Sequence, residues 1–247
     1  MLAFRCALML LTGLIGGALS ATAAAAQIYV MESTVPAIRV GSALDLSAAI
    51  SIPAGGHIRA VLPSGKTQTI KGPWEGTAAD LAKGQPVNEG VLASLKELLR
   101  TGGATQTTTG ATRSIARPVD KPPRVAFSWS AIPVANGTVC VEKGAKLALI
   151  RAASPNAERV TVIDTTNGGQ AELQWEPGSD TAAWPATLTL RNDATYDVLS
   201  AGRPRRQITV RVLDRLPTED NLLIELNRLG CSSQFEAWVR GKLATGH

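Results

Sequence analysis

The feature that most limits what this chain can fold into is how often it breaks. Between residues 124 and 213 the segments RVAFSWSAIPV, GTVCVEKG, AKLALIRAA, ERVTVIDTTNGGQAELQWE, ATLTLRNDATYDVLSAG and RQITVRVLD are separated by Gly, Pro and Asn-Gly turns. Roughly six to eight short strands at spacings of about 8 to 12 residues follow, the pattern of an all-β sandwich of the immunoglobulin-like kind. Thr166-Asn167-Gly168-Gly169 is the strongest hairpin signal, because Asn and Gly accept the positive φ values of a tight turn. Asn136-Gly137-Thr138 has the form of a glycosylation acceptor and is read as a second Asn-Gly turn.

Residues 27–74 are cut more finely. Ile58, Ala60 and Leu62 alternate with His57, Arg59 and Val61, and Thr67, Thr69 and Lys71 alternate with Gln68, Ile70 and Gly72. This period of two marks half-buried strands, with PAGG and PSGK as turns between them. Gly65-Lys66-Thr67 has the ending of a phosphate-binding loop. Such a loop needs a glycine where the chain has Ala60, and a helix where it has the strand-like QTIKGP. Pro63-Ser64-Gly65-Lys66 is therefore read as a β-turn, with Pro at its second position or Gly in the left-handed region.

Two helical patterns flank the longer β region. VNEGVLASLKELLRTGG sets Leu92, Leu95, Leu98 and Leu99 on one face, with Asn88 as N-cap and Gly102 as stop, and this helix is expected to lie on the first β unit. ATQTTTGATRSIARPVDKPP after it reads as an exposed linker. Near the end, Leu222, Leu223, Leu226 and Leu229, then Phe235, Trp238, Val239 and Leu243, form helical stripes. Gly230 supplies the C-cap and Ser232 or Ser233 the next N-cap, which makes an αα-hairpin with Cys231 in its joint.

The stretch SIPAGGHIRAVLPSGKTQTIKGP resembles the FecR-like domain, in which a strand reaches a P-x-G turn, runs through an apolar x-V-x-L-P-x-G segment and ends before a Gly-Pro. The likeness covers about residues 28–76. In the iron-transport regulators of that name, the domain is the periplasmic half of a transmembrane sensor that controls a sigma factor. The resemblance implies an exported, non-catalytic β module. The chain departs from those regulators in its expected lack of a cytoplasmic segment and of a retained membrane helix, which argues against sigma-factor control. More loosely, the whole chain resembles exported proteobacterial proteins that join such a module to a second β domain.

The compartment is read from the start of the chain. MLAFR, CALMLLTGLIGGAL and ATAAAA supply in turn a positive charge, an apolar run and small residues, the three parts of a secretory signal peptide. Ala24 and Ala26 fit cleavage before Gln27, and Ala21 and Ala23 fit the same rule. The alternative, a retained anchor, needs about 20 apolar residues. The expected organisation is a signal peptide over 1–26, a FecR-like β unit over 27–76, a helix and Thr/Pro-rich linker over 77–123, a sandwich over 124–213 and a helical hairpin over 214–247. The expected location is the periplasm, with no transmembrane anchor after cleavage. Cys6 leaves with the leader, so Cys140 and Cys231 remain as a disulfide candidate in an oxidising compartment, the alternative being two separately buried thiols.

Chemistry is sparse. The formal charge of +5 forms no basic block, and Arg203, Arg205 and Arg206 read as a hairpin tip, so no nucleic-acid partner is expected. Histidine occurs only at His57 and His247, no Cys/His cluster has zinc spacing, and no acidic loop fits calcium. No catalytic, metal or cofactor residues are assigned. Trp129, Trp175 and Trp238 read as core or half-core, whereas Trp74 and Trp184, beside prolines, are the candidates for exposed binding aromatics. The expectation is a non-catalytic module that binds an envelope protein, with edge strands available for strand addition. The alternatives are a binder of glycan or peptidoglycan, a hydrolase, or a passive spacer.

Overall fold

A computed structural model describes residues 26–101 and 126–245. The expected signal peptide except Ala26, the expected helix stop at Gly102, the whole of the expected linker ATQTTTGATRSIARPVDKPP, and His247 lie outside the described residues.

The first unit contains β1 (Gln27–Ser33), β2 (Ala43–Asp45), β3 (Ala49–Ile52), β4 (His57–Val61), β5 (Thr67–Lys71) and β6 (Trp74–Thr77). An antiparallel sheet runs in the order β2-β1-β4-β5, and β3 pairs with β6. Ile28, Ile58, Ala60 and Ile70 of the sheet pack with Ile50 and Ile52 of β3. Tyr29, Met31 and Val61 belong to a different core, shared with helices. Burial on both faces accounts for the unbroken apolar run Ile28-Tyr29-Val30-Met31, which lacks the alternation of its neighbours.

The PSGK segment is a hairpin tip, as its sequence predicts. Gly65 N–H donates to Leu62 C=O at 2.8 Å, and Leu62 N–H donates to Lys66 C=O at 2.8 Å. Pro63 stands second in the turn and Gly65 has φ 83°. The tip is occupied by protein: a Cβ on Gly65 would lie 3.1 Å from atoms of both Val91 and Ile224. Around it, Asn88 N–H donates to Pro63 C=O at 2.8 Å and Ser64 Oγ donates to Gln85 Oε1 at 2.6 Å. The glycine therefore lets helices settle on the turn.

The chain leaves β6 in the short α1 (Ala78–Ala82), opened by the Thr77–Asp80 capping box, and continues with α2 (Glu89–Arg100), whose Val91 meets Gly65. Asn88 caps α2 as expected, its side chain accepting from Val91 N–H at 3.2 Å. Leu95 is buried with Val91, while Leu92, Leu98 and Leu99 pack at the margin of the same core.

The second unit is a two-sheet sandwich of β7 (Ala131–Pro133), β8 (Gly137–Glu142), β9 (Ala148–Ile150), β10 (Glu158–Asp164), β11 (Gln170–Trp175), β12 (Thr181–Ala183), β13 (Ala194–Ser200) and β14 (Arg206–Leu213). One sheet has the order β11-β10-β13-β14-β8 with β8 and β14 parallel, and the other has the order β12-β9-β7 with β7 and β9 parallel. Side chains from both, among them Ile132, Leu149, Val162, Trp175 and Val210, fill one core. Tyr196 Oη donates to Thr189 C=O at 3.1 Å and accepts from Arg191 N–H at 2.9 Å. The hydroxyl thus ties its strand back to backbone a few residues upstream, as a tyrosine corner does. The expected strand RVAFSWSAIPV shortens to Ala131–Pro133. Phe127 and Trp129 before it stack edge to face, 5.0 Å apart, against the helical core.

A 3-10 turn (Glu219–Asn221) leads into α3 (Leu222–Leu229) and α4 (Ser232–Thr245). Gly230, at φ 74°, donates to Asn227 C=O, and Cys231 N–H donates to Leu226 C=O at 2.9 Å, a Schellman ending. Cys231 C=O then accepts from Phe235 N–H at 3.0 Å. Cys231, and not Ser232 or Ser233, thus heads α4, because the tight exit from α3 spends no extra residue. The hairpin is more than a tail. Leu223, Leu226, Phe235, Trp238 and Val239 share a core with Tyr29 and Met31 of the first unit and Cys140 of the second. Glu219 adds ion pairs to Arg59 at 2.7 Å and Lys242 at 3.4 Å.

Replacing Gly65 with alanine imposes a left-handed Cβ against Val91 and Ile224. Destabilisation of about 1–3 kcal/mol is expected, read as a lower urea midpoint with unchanged slope.

Candidate interaction surfaces

The two edges of the five-stranded sheet are treated in opposite ways. At β8, Cys140 Sγ is bonded to Cys231 across 91 residues of sequence, with the Cα atoms 5.8 Å apart. Three residues further along the chain, Gln234 reaches the same point. Its Oε1 accepts from Cys140 N–H at 2.7 Å, and its Nε2 donates to Cys140 C=O at 2.6 Å and to Ser128 C=O at 2.9 Å. One buried amide side chain thus replaces an adjacent strand. Next along β8, Glu142 N–H donates to Trp129 C=O at 3.0 Å.

At β11 the edge is left open among the described residues. Asp164 N–H donates to Gly169 C=O on the β11 side of β10, and Thr165 N–H donates to Thr195 C=O on the β13 side. With the observed register, Ala171, Leu173 and Trp175 face β10 with their backbone groups. Gln170, Glu172 and Gln174 therefore direct N–H and C=O outward, and among the described residues none bonds to them. Their side chains are exposed, while Ala171 and Trp175 are buried. The outer strands of the smaller sheet, β7 and β12, have three residues each, so β11, with six, offers the longer edge.

Trp74 and Trp184 are not exposed as the sequence suggested. Trp74 is half-buried against the core of the first unit. Trp184 is half-buried too, with Nε1–H donated to Leu188 C=O at 2.8 Å and its ring edge to face with Tyr196, 5.1 Å away. Each indole beside its proline follows a strand back over a core, which the flanking prolines do not reveal. Trp184 nevertheless lines an open cleft of about 760 Å³ with Leu147, Val212, Lys146 and Asn192. Lys143 and Asp214, 2.6 Å apart, stand at this cleft.

The remaining polar groups are tied up structurally. Glu158 accepts from Nε and Nη2 of Arg203, from Ser200 Oγ at 2.9 Å and from Arg151, whose guanidinium also lies 4.3 Å over the Trp175 ring. Arg203, then Arg151 and the serines, hold the Glu158 carboxyl far below its ordinary range despite burial. Burial alone would raise Asp164, but hydrogen bonds from Thr166 and Arg191 overcome it and lower the carboxyl. Arg203, Arg205 and Arg206 lie at the β13–β14 hairpin connection as expected, and the exposed Arg205 pairs with Asp197 at 2.5 Å. His57 opens β4 and contacts Glu32 at 3.3 Å. Among the described residues no group of three His, Cys, Asp or Glu could hold a metal ion, and no helix is long and apolar enough to cross a membrane.

Comparison of the chain with family models, with curated proteins and with solved structures returns no match.

Two outcomes follow from these contacts. Gln234→Leu leaves Cys140 N–H and C=O buried without partners and should cost about 1–3 kcal/mol, measured by urea unfolding of the oxidised protein. Glu158 has a depressed folded pKa, so its stabilisation is full above its unfolded value of about 4.3 and drains away as pH falls below that toward the folded value. Denaturation midpoints should drop through this acid range, and Glu158→Gln should be weaker at neutral pH with a flatter acid limb.

Proposed function

We propose that the mature chain is a non-catalytic interaction module of the bacterial cell envelope, exported to the periplasm, which takes an extended segment of a partner protein onto β11 as an added strand. The observation that carries this reading is the contrast between edges: β8 is covered by Gln234 and Trp129, whereas β11 presents the outward backbone of Gln170, Glu172 and Gln174. Uncovered edges invite pairing and are normally blocked, and strand addition uses the backbone for affinity. The leader-like start and the FecR-like resemblance over residues 28–76 support an exported β module. Support for a non-catalytic role comes from Glu158, drawn down chiefly by Arg203, and Asp164, drawn down by Thr166 N–H and then Arg191, the opposite of a general acid tuned upward for work near neutral pH.

Proline at position 172 removes an outward N–H without touching the ladder to β10. A photo-crosslinking residue at Gln174 in living cells should trap one dominant envelope protein, and Glu172→Pro should abolish the adduct while thermal stability is retained. An adduct that survives Glu172→Pro, or one identical to that from a crosslinker at Glu75, contradicts the assignment.

A further inference from the structure

We infer that the cleft beside Trp184 is a binding site for a neutral saccharide, separate from the β11 edge and independent of the reading above. The cleft opens at the end of the sandwich between the β8–β9 turn and the end of β14. That is the far side of the five-stranded sheet from β11, so both surfaces can be occupied together. Its volume of about 760 Å³ lies within the range of small-ligand sites.

The chemistry of the walls selects the ligand class. Trp184 is fixed through Nε1 by Leu188 C=O and through its ring by Tyr196, so an aromatic surface is available without an ordering cost on binding. Leu147, Leu190 and Val212 extend that apolar floor. Around it, Lys143 and Lys146 are balanced by Glu142 and Asp214, and Lys143 is already paired to Asp214 at 2.6 Å. An anion or a cation finds no net field to recognise. A purely apolar ligand would desolvate this charged rim without compensation. A sugar ring satisfies both parts, with its C–H face against the indole and its hydroxyls among the ammonium, carboxylate and Asn192 amide groups. The groove between α2 and the terminal helices, about 230 Å³ and lined by Leu98, Leu226 and Phe235, has no tryptophan and carries no comparable argument.

The test titrates the full ¹⁵N-labelled chain with chitotriose and maltotriose, and with trigalacturonate as an anionic probe. Saturable shifts of the Trp184 indole N–H and the Gly144 and Lys146 amides with a neutral trisaccharide are expected. Ala183→Phe fills the cleft from an exposed strand position and leaves the Trp184–Tyr196 contact in place, so affinity should fall about tenfold or more, at least ~1.4 kcal/mol. The inference is overturned if neither neutral sugar gives saturable shifts at millimolar concentration, if Ala183→Phe binds as well as the parent, or if trigalacturonate binds more tightly.

Discussion

The rest of the structure depends on the grip that one turn of α4 takes on Cys140. A covalent bond from Cys231 and a pair of amide hydrogen bonds from Gln234 meet at a single residue of β8. The bond closes a 91-residue loop, and loop-closure entropy puts its contribution at roughly 4–5 kcal/mol before any native strain. The amide adds orientation, because it fixes the helix axis relative to the strand. With α4 so placed, Phe235, Trp238 and Val239 lie where Tyr29 and Met31 of the first unit can pack on them. The hairpin holds two β units that would otherwise each leave an apolar face open.

The same grip decides which edges of the sandwich are closed. A five-stranded sheet has two edge strands, and each exposes unpaired backbone. Gln234 closes one with a side chain, an economical solution because a helix cannot offer its own backbone to a strand. The opposite edge at β11 has no such cover among the described residues. It also has no lysine or proline between Gln170 and Trp175 to discourage pairing. The asymmetry follows from where the C-terminal helices were placed, and it gives the fold a directed surface.

Much of this was legible in the sequence. The Asn-Gly and Pro-Gly turns marked the strands because their backbone requirements are local, and the eight strands of the sandwich fall within the expected number. Gly230 announced the break between the last two helices for the same reason. The Cys pair was expected as a bridge and is one. What the sequence hid were contacts between distant segments. Gln234 looks like a surface residue in a helix, and only its meeting with Cys140 gives it a buried role. Glu219 stands in the sequence as one acid at the start of a helix, and only the fold pairs it with Arg59 of the first unit. Trp74 and Trp184 illustrate the limit most plainly, since a proline neighbour says where a strand ends and nothing about what the indole then covers. The openness of β11 was equally out of reach, because strand order is a property of the assembled sheet.

The central claim is that the helical hairpin makes the two β units one cooperative body. The most direct measurement is native-state hydrogen exchange under rising, sub-denaturing urea, comparing amides of β1 with those of β8 and β13 in the oxidised protein. The account predicts that the slowest amides of both units converge on one opening free energy with the same urea dependence. Slow amides of β1 that open at a distinct, lower free energy while β13 stays protected would contradict it, and would make the hairpin a part of one unit only.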